Sequence, residues 1–131
     1  PEQLDRTRDR MRAIVAQHLP GTDAQIAFID EYPAMPLTEG NQRLLGFYDE
    51  ASRALGYGPV QPMDPGMRGA GDLSFVAPLM DGLEGLGALG TGAHAPNERV
   101  NLNALPMQTE RAAVTIARLG ARPAGEFIRV K

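Results

Sequence analysis

Fifteen glycines and eleven prolines gather at a few joints of this chain, and they limit how far any regular element can run. Glycine ends helices and lets a backbone turn sharply, while proline fixes its own φ and removes a hydrogen-bond donor. Pro20-Gly21, Pro33 with Pro36, Gly56 with Gly58, and the glycines between 82 and 92 mark the breaks. Three stretches between them carry helical periodicity. Residues 2–18 place Leu4, Met11, Ile14 and Val15 among charges, which predicts an amphipathic helix of modest hydrophobicity. In the next, Leu44, Leu45, Tyr48, Ala51 and Leu55 recur at helical spacing. Thr38 or Glu39 opens that helix, and Gly56 and Gly58 stop it. A closing amphipathic helix covers 104–119 and is capped by Gly120.

The segments between the helices read as extended or turning. "AQIAFIDEY" alternates Ile26, Phe28 and Ile29 with small or polar residues, predicting a strand over 24–32 that runs into a boundary at 33–37. "PVQPM" is a short extended piece. "DPGMRGAGD" is a turn-rich loop from which Asp72 opens a short helix carrying Leu73, Phe75 and Val76. The apolar run 83–87, with its glycines, reads as a closely packed strand. After residue 37 the order helix, strand, helix, strand, helix predicts an α/β fold, a mixed, largely parallel sheet flanked by helices. Residues 1–33 form one unit and 34–131 another. A chain of 131 residues is long enough for one domain. Yet it starts at Pro1, without a methionine, on a charged helix, so it reads as a piece of something longer.

Composition removes several classes of function. The net charge is −3, Lys and Arg are spread along the chain, and three tyrosines and four phenylalanines are the whole aromatic complement. No basic stripe is left to neutralise phosphates, so nucleic acid is not an expected partner. The absence of cysteine excludes disulfides and thiolate ligands, leaving imidazole and carboxylate for any metal. No apolar run approaches the roughly 20 residues that span a bilayer, and no signal peptide is visible, so a cytoplasmic or periplasmic setting is expected.

Function in such a sheet sits in loops leading from strands into helices. In "MRGAGD", the backbone of Gly69, Ala70 and Gly71 offers N–H groups to an anionic ligand, or else forms a turn whose Asp72 caps the next helix. Arg68 beside it is either a carboxylate anchor or a solvated surface arginine. In "GTGAHAPNERV", Gly87, Gly90, Gly92 and Ala93 deliver His94 to a crowded place, as a ligand or as a histidine on a turn. One imidazole cannot hold zinc, and His18, at a helix C-terminus, complements the helix dipole instead. No G-x-S-x-G elbow and no phosphate-loop lysine occurs, and Ser74 has no histidine near it in sequence. Gly85, Gly87 and Gly90 formally fit G-x-G-x-x-G, but no acidic ribose-binding strand follows.

Taken together, "RGAGDLSFVA", "EGLGALGTGAHAPNERVNLNAL" and the final helix resemble the C-terminal part of the di-zinc metallopeptidases related to glutamate carboxypeptidase, aminoacylase and acetylornithine deacetylase. The resemblance covers essentially the whole chain. It implies that residues 1–33 end an α+β lid, or dimerisation, domain and that 34–131 complete a catalytic domain. It also implies that His94, in a loop with Glu98, is a ligand of one of two zinc ions, and that Arg68, Gly69, Ala70 and Gly71 border the substrate pocket. The implied activity is hydrolysis of an amide bond in a small peptide or N-acyl amino acid, by a homodimer. The glutamate base and the remaining ligands would precede Pro1, so this segment alone is expected to be inactive. The alternative is a non-catalytic binding or dimerisation module. One departure stands out: relatives that release glutamate carry an arginine before the proline after the lid strand, where this chain has Tyr32 before Pro33.

Overall fold

Thr38 starts the best-defined element of the chain. The computed structural model describes residues 2–67 and 69–128. Thr38 is extended, with φ −117° and ψ 161°, and its hydroxyl accepts a hydrogen bond from the Asn41 N–H, as a helix N-cap does. Helix α1 spans Glu2–Val15, α2 Glu39–Ala54, α3 Leu73–Val76 and α4 Leu105–Gly120. The end of α2 is a Schellman turn. Tyr57 N–H bonds to the Ser52 carbonyl and Gly56 N–H to that of Arg53, with Gly56 at φ +80°, a conformation glycine adopts without strain.

Helices α2 and α4 pack against each other and form the core. Leu44, Tyr48 and Ala51 face inward from α2, while the residues α4 buries are Gln108, Arg111 and Thr115. The contact is therefore partly polar. Arg111 donates from Nη1 to Gln108 Oε1 at 2.8 Å, from Nε to Ser52 Oγ at 2.9 Å, and from Nη2 to the Tyr57 carbonyl at 3.3 Å. Ser52 in turn donates a hydrogen bond to the Gly58 carbonyl at 2.6 Å, so one cation orders the turn that ends α2. At the other end of α2, Thr38 donates to Asp81 at 2.8 Å, and Asn41 accepts from Gly82 N–H at 3.1 Å. A Cβ on Gly40 would fall 1.8 Å from an Asp81 carboxylate oxygen, so any larger residue there would push that carboxylate aside. This places a carboxylate at the positive end of the helix.

The expected α/β fold does not form. Among the described residues the sheet is one antiparallel hairpin of two-residue strands, β1 Gly90–Thr91 and β2 Arg99–Val100, beside an isolated bridge between Met80 and Ile128. Residues 24–32 and 83–87, read as strands, join no ladder; residues 32 and 87 are bends, and Gly85 stands at φ +75°. A helix closes its hydrogen bonds within itself, whereas a strand exists only if a second backbone lies alongside, and parallel strands need one brought back by a crossover. Segment 83–87 is held instead by a side chain: Gln108 Nε2 donates to the carbonyls of Leu86 at 3.3 Å and Gly87 at 2.9 Å.

Helix α1 buries none of its residues, and Leu4, Met11 and Ile14 remain exposed. Its contacts run to the segment after it. Arg8 forms a two-pronged ion pair with Asp30, and the guanidinium groups of Arg8 and Arg12 lie 5.3 and 5.1 Å from the Phe28 ring. A shallow apolar groove of ≈ 190 Å³ lies along α2 and α4, with Leu83, Leu86, Ile116 and Leu119 among its walls.

Asp49 gives the fold a pH dependence. Arg53 Nε at 2.8 Å and the Val60 N–H at 2.7 Å, in that order of effect, hold its carboxyl below the usual carboxylate range. A lowered native pKa stabilises the fold above the unfolded value of about 4, and that contribution is lost as pH falls through the native value. Asp49→Asn should therefore lower Tm at pH 7, and the gap to the parent should narrow below about pH 4. A gap unchanged between pH 7 and pH 3 in thermal unfolding would contradict this.

Candidate functional site

The glycine run ends in the β1–β2 hairpin, and backbone sterics fix its shape. Gly90 pairs with Val100 and Thr91 with Arg99, while Asn101 N–H extends the ladder to the Leu89 carbonyl at 2.7 Å. A Cβ on Gly90 would stand 2.3 Å from the Arg99 carbonyl oxygen, so the strands approach closely only because glycine is there. Gly92 then turns at φ +71°. Two tight turns follow, with Ala95 N–H bonded to the Gly92 carbonyl and Glu98 N–H to that of Ala95, both at 3.0 Å.

His94 is the third residue of the first of these turns and lies in the left-handed region at φ +62°, where the described residues hold no other non-glycine side chain. Such a conformation costs an L-residue free energy, though histidine tolerates it better than most. The hairpin thus holds a strained imidazole out in solvent, with Glu98, also exposed, four residues on. A groove of ≈ 290 Å³ beside it is lined by Ala88, Leu89, Gly90, Glu98, Arg99 and Val100. Asn101 finishes the loop, its side chain accepting from Asn103 N–H at 3.1 Å to cap the turn that leads into α4.

The second predicted loop has a different surprise. Arg68 lies outside the described residues. Gly69 and Ala70 are exposed, and Gly71 packs so tightly on Glu84 that a Cβ would fall 1.9 Å from its carboxylate. Asp72 precedes α3 but makes no side-chain cap. Its carboxylate instead accepts from the Tyr32 hydroxyl at 3.2 Å, and the Tyr32 ring lies 5.2 Å from that of Phe75 at 57°. That bond, with the Asp72 charge, desolvation and Glu84 behind it, pushes the Tyr32 hydroxyl above its ordinary range.

Helix α3 makes no contact with either strand of the hairpin. No group of three or more histidine, aspartate or glutamate side chains is placed to hold a metal among the described residues. His18 is exposed, its Nδ1 lying 3.2 Å from the Leu19 carbonyl. The donor set of this chain at the hairpin is one imidazole with one carboxylate, of the type zinc accepts but short of the three or four ligands it needs. Sequence reasoning missed Gln108, which carries the glycine run, and the Tyr32–Asp72 bond. Gln108 could have been found from its place at i−3 from Arg111 and i−7 from Thr115 on the inner stripe of α4. Nothing local announces a bond across forty residues.

Comparison with protein-family models, with curated proteins and with solved structures finds no match to this chain. Among the described residues no helix is long and apolar enough to cross a membrane.

Proposed function

We propose that this chain is the C-terminal segment of a zinc-dependent amide hydrolase, similar to the di-zinc metallopeptidases its motifs resemble. The observation that carries the reading is His94: a left-handed, solvent-facing imidazole on a hairpin that glycines 90 and 92 make possible. Strain of that kind persists where the surrounding structure imposes it, and an imidazole aimed outward suits a ligand that meets its metal at an interface. His94 supplies one nitrogen, and the other ligands and the glutamate base come from residues preceding Pro1. His94 would hold zinc together with those ligands, and the ion, when bound, would supply Lewis-acid chemistry for amide hydrolysis. The backbone of Gly69 to Gly71, with Arg68, borders a small peptide or N-acyl amino acid. Exposed Leu105 and Ile116 on α4, and the apolar groove beside them, fit a chain that packs against further structure.

The second reading, a non-catalytic binding or dimerisation module, draws on the exposed Leu4, Met11 and Ile14 of α1. One experiment separates the two. The protein is produced with its upstream sequence, its zinc is measured by elemental analysis, and hydrolysis of N-acyl amino acids and dipeptides is followed with and without a chelator. Two zinc ions per chain and chelator-sensitive turnover are expected. A metal-free, inactive protein that still self-associates would favour the module.

A further inference from the structure

We propose that Tyr32 is a positioning residue, whose hydroxyl holds the Asp72 side chain and fixes the glycine loop 69–71 in place. Asp72 has helical φ and ψ of −62° and −24°, a backbone that an N-cap does not adopt, and its side chain gives α3 no cap. Its carboxylate is bonded to Tyr32 Oη at 3.2 Å instead. Asp72 and Phe75 stand three residues apart and so share one side of the helical turn. Tyr32 meets both, with its hydroxyl on the first and its ring on the second. The loop is thus closed on two flanks, by Tyr32 through Asp72 and by Glu84 against Gly71. The nearby Asp72 and Glu84 carboxylates both disfavour loss of the phenol proton.

The consequence for turnover rests on the hydrolase reading, whereas the clasp itself does not. In the full-length protein, Tyr32→Phe keeps the ring and removes the donor, Asp72→Ala removes the acceptor, and Asp72→Asn keeps an acceptor without the charge. Amide exchange over residues 69–74 and steady-state kinetics on an N-acyl amino acid are measured for each. Tyr32→Phe and Asp72→Ala should each speed exchange severalfold and raise KM about three- to tenfold with kcat unchanged, as expected for one lost hydrogen bond. The double variant should be no worse than the weaker single, because both remove the same contact, and Asp72→Asn should stay close to the parent. Additive single effects, an Asp72→Asn as impaired as Asp72→Ala, or unchanged exchange in both singles would overturn the proposal. A parent that hydrolyses nothing overturns the hydrolase reading alone, and exchange then decides the clasp.

Discussion

His94→Ala in the intact protein should lose zinc and activity together. Removing a partner behind a metal ligand already costs 10- to 100-fold in affinity or activity, so deleting the ligand itself should cost more than about 100-fold in zinc affinity. Alanine also lacks histidine's tolerance for φ near +62°, so a second variant separates ligation from backbone strain. His94→Asn keeps the left-handed preference without the imidazole. It should fold as the parent does and still fail to retain zinc. Elemental analysis after dialysis, with kcat/KM on the same samples, checks both variants. Full metal content and normal turnover in His94→Asn would mean that the imidazole is a turn residue.

The contrast between helices and strands explains how much of this fold the sequence made legible. Thr38, Gly56 and the apolar spacing from Leu44 to Ala51 specify α2 from within, and α2 forms at Glu39–Ala54 as its periodicity predicts. The closing helix is legible for the same reason and forms at Leu105–Gly120. Residues 24–32 and 83–87 carry apolar side chains suited to a strand, but no other backbone of the described chain lies beside them. Propensity describes what a strand's surface fits, and pairing decides whether it exists.

The candidate site was legible in part, and for similar reasons. The glycines around His94 announce a close approach, and Gly90 makes one against the Arg99 carbonyl. The left-handed φ of His94 could not be read from its neighbours, since it is set by the two turns that close the hairpin. At Asp72 local sequence pointed to a cap, but the residue's helical φ and ψ leave none, and its carboxylate bonds to a tyrosine forty residues earlier. Tertiary contact overrides local preference most easily where a side chain has two good partners within reach.

Arg111→Ala should be the most destabilising single change in the helix pair, costing about 3 kcal/mol. Arg111 is 9% exposed, and all three of its hydrogen bonds end on neutral oxygens, on Gln108, Ser52 and the Tyr57 carbonyl. The cost of burying this guanidinium is offset by these acceptors and by the Tyr57 ring 5.6 Å away. Deleting it opens a cavity and strands the acceptors at once. The loss should also reach the candidate loop. Gln108 is held at Oε1 by Arg111 and holds the Leu86 and Gly87 carbonyls through Nε2, so a freed Gln108 loosens the glycine run that leads to the hairpin. Arg111→Met tests the division between shape and bonding, since it restores much of the volume with no donors. Chemical unfolding of both variants, with amide exchange at residues 89–101, is the measurement. Arg111→Met should recover part of the stability and leave exchange in the hairpin fast. If Arg111→Met matches the parent in both, packing alone holds this core, and the polar network neither stabilises the helix pair nor steadies the loop that carries His94.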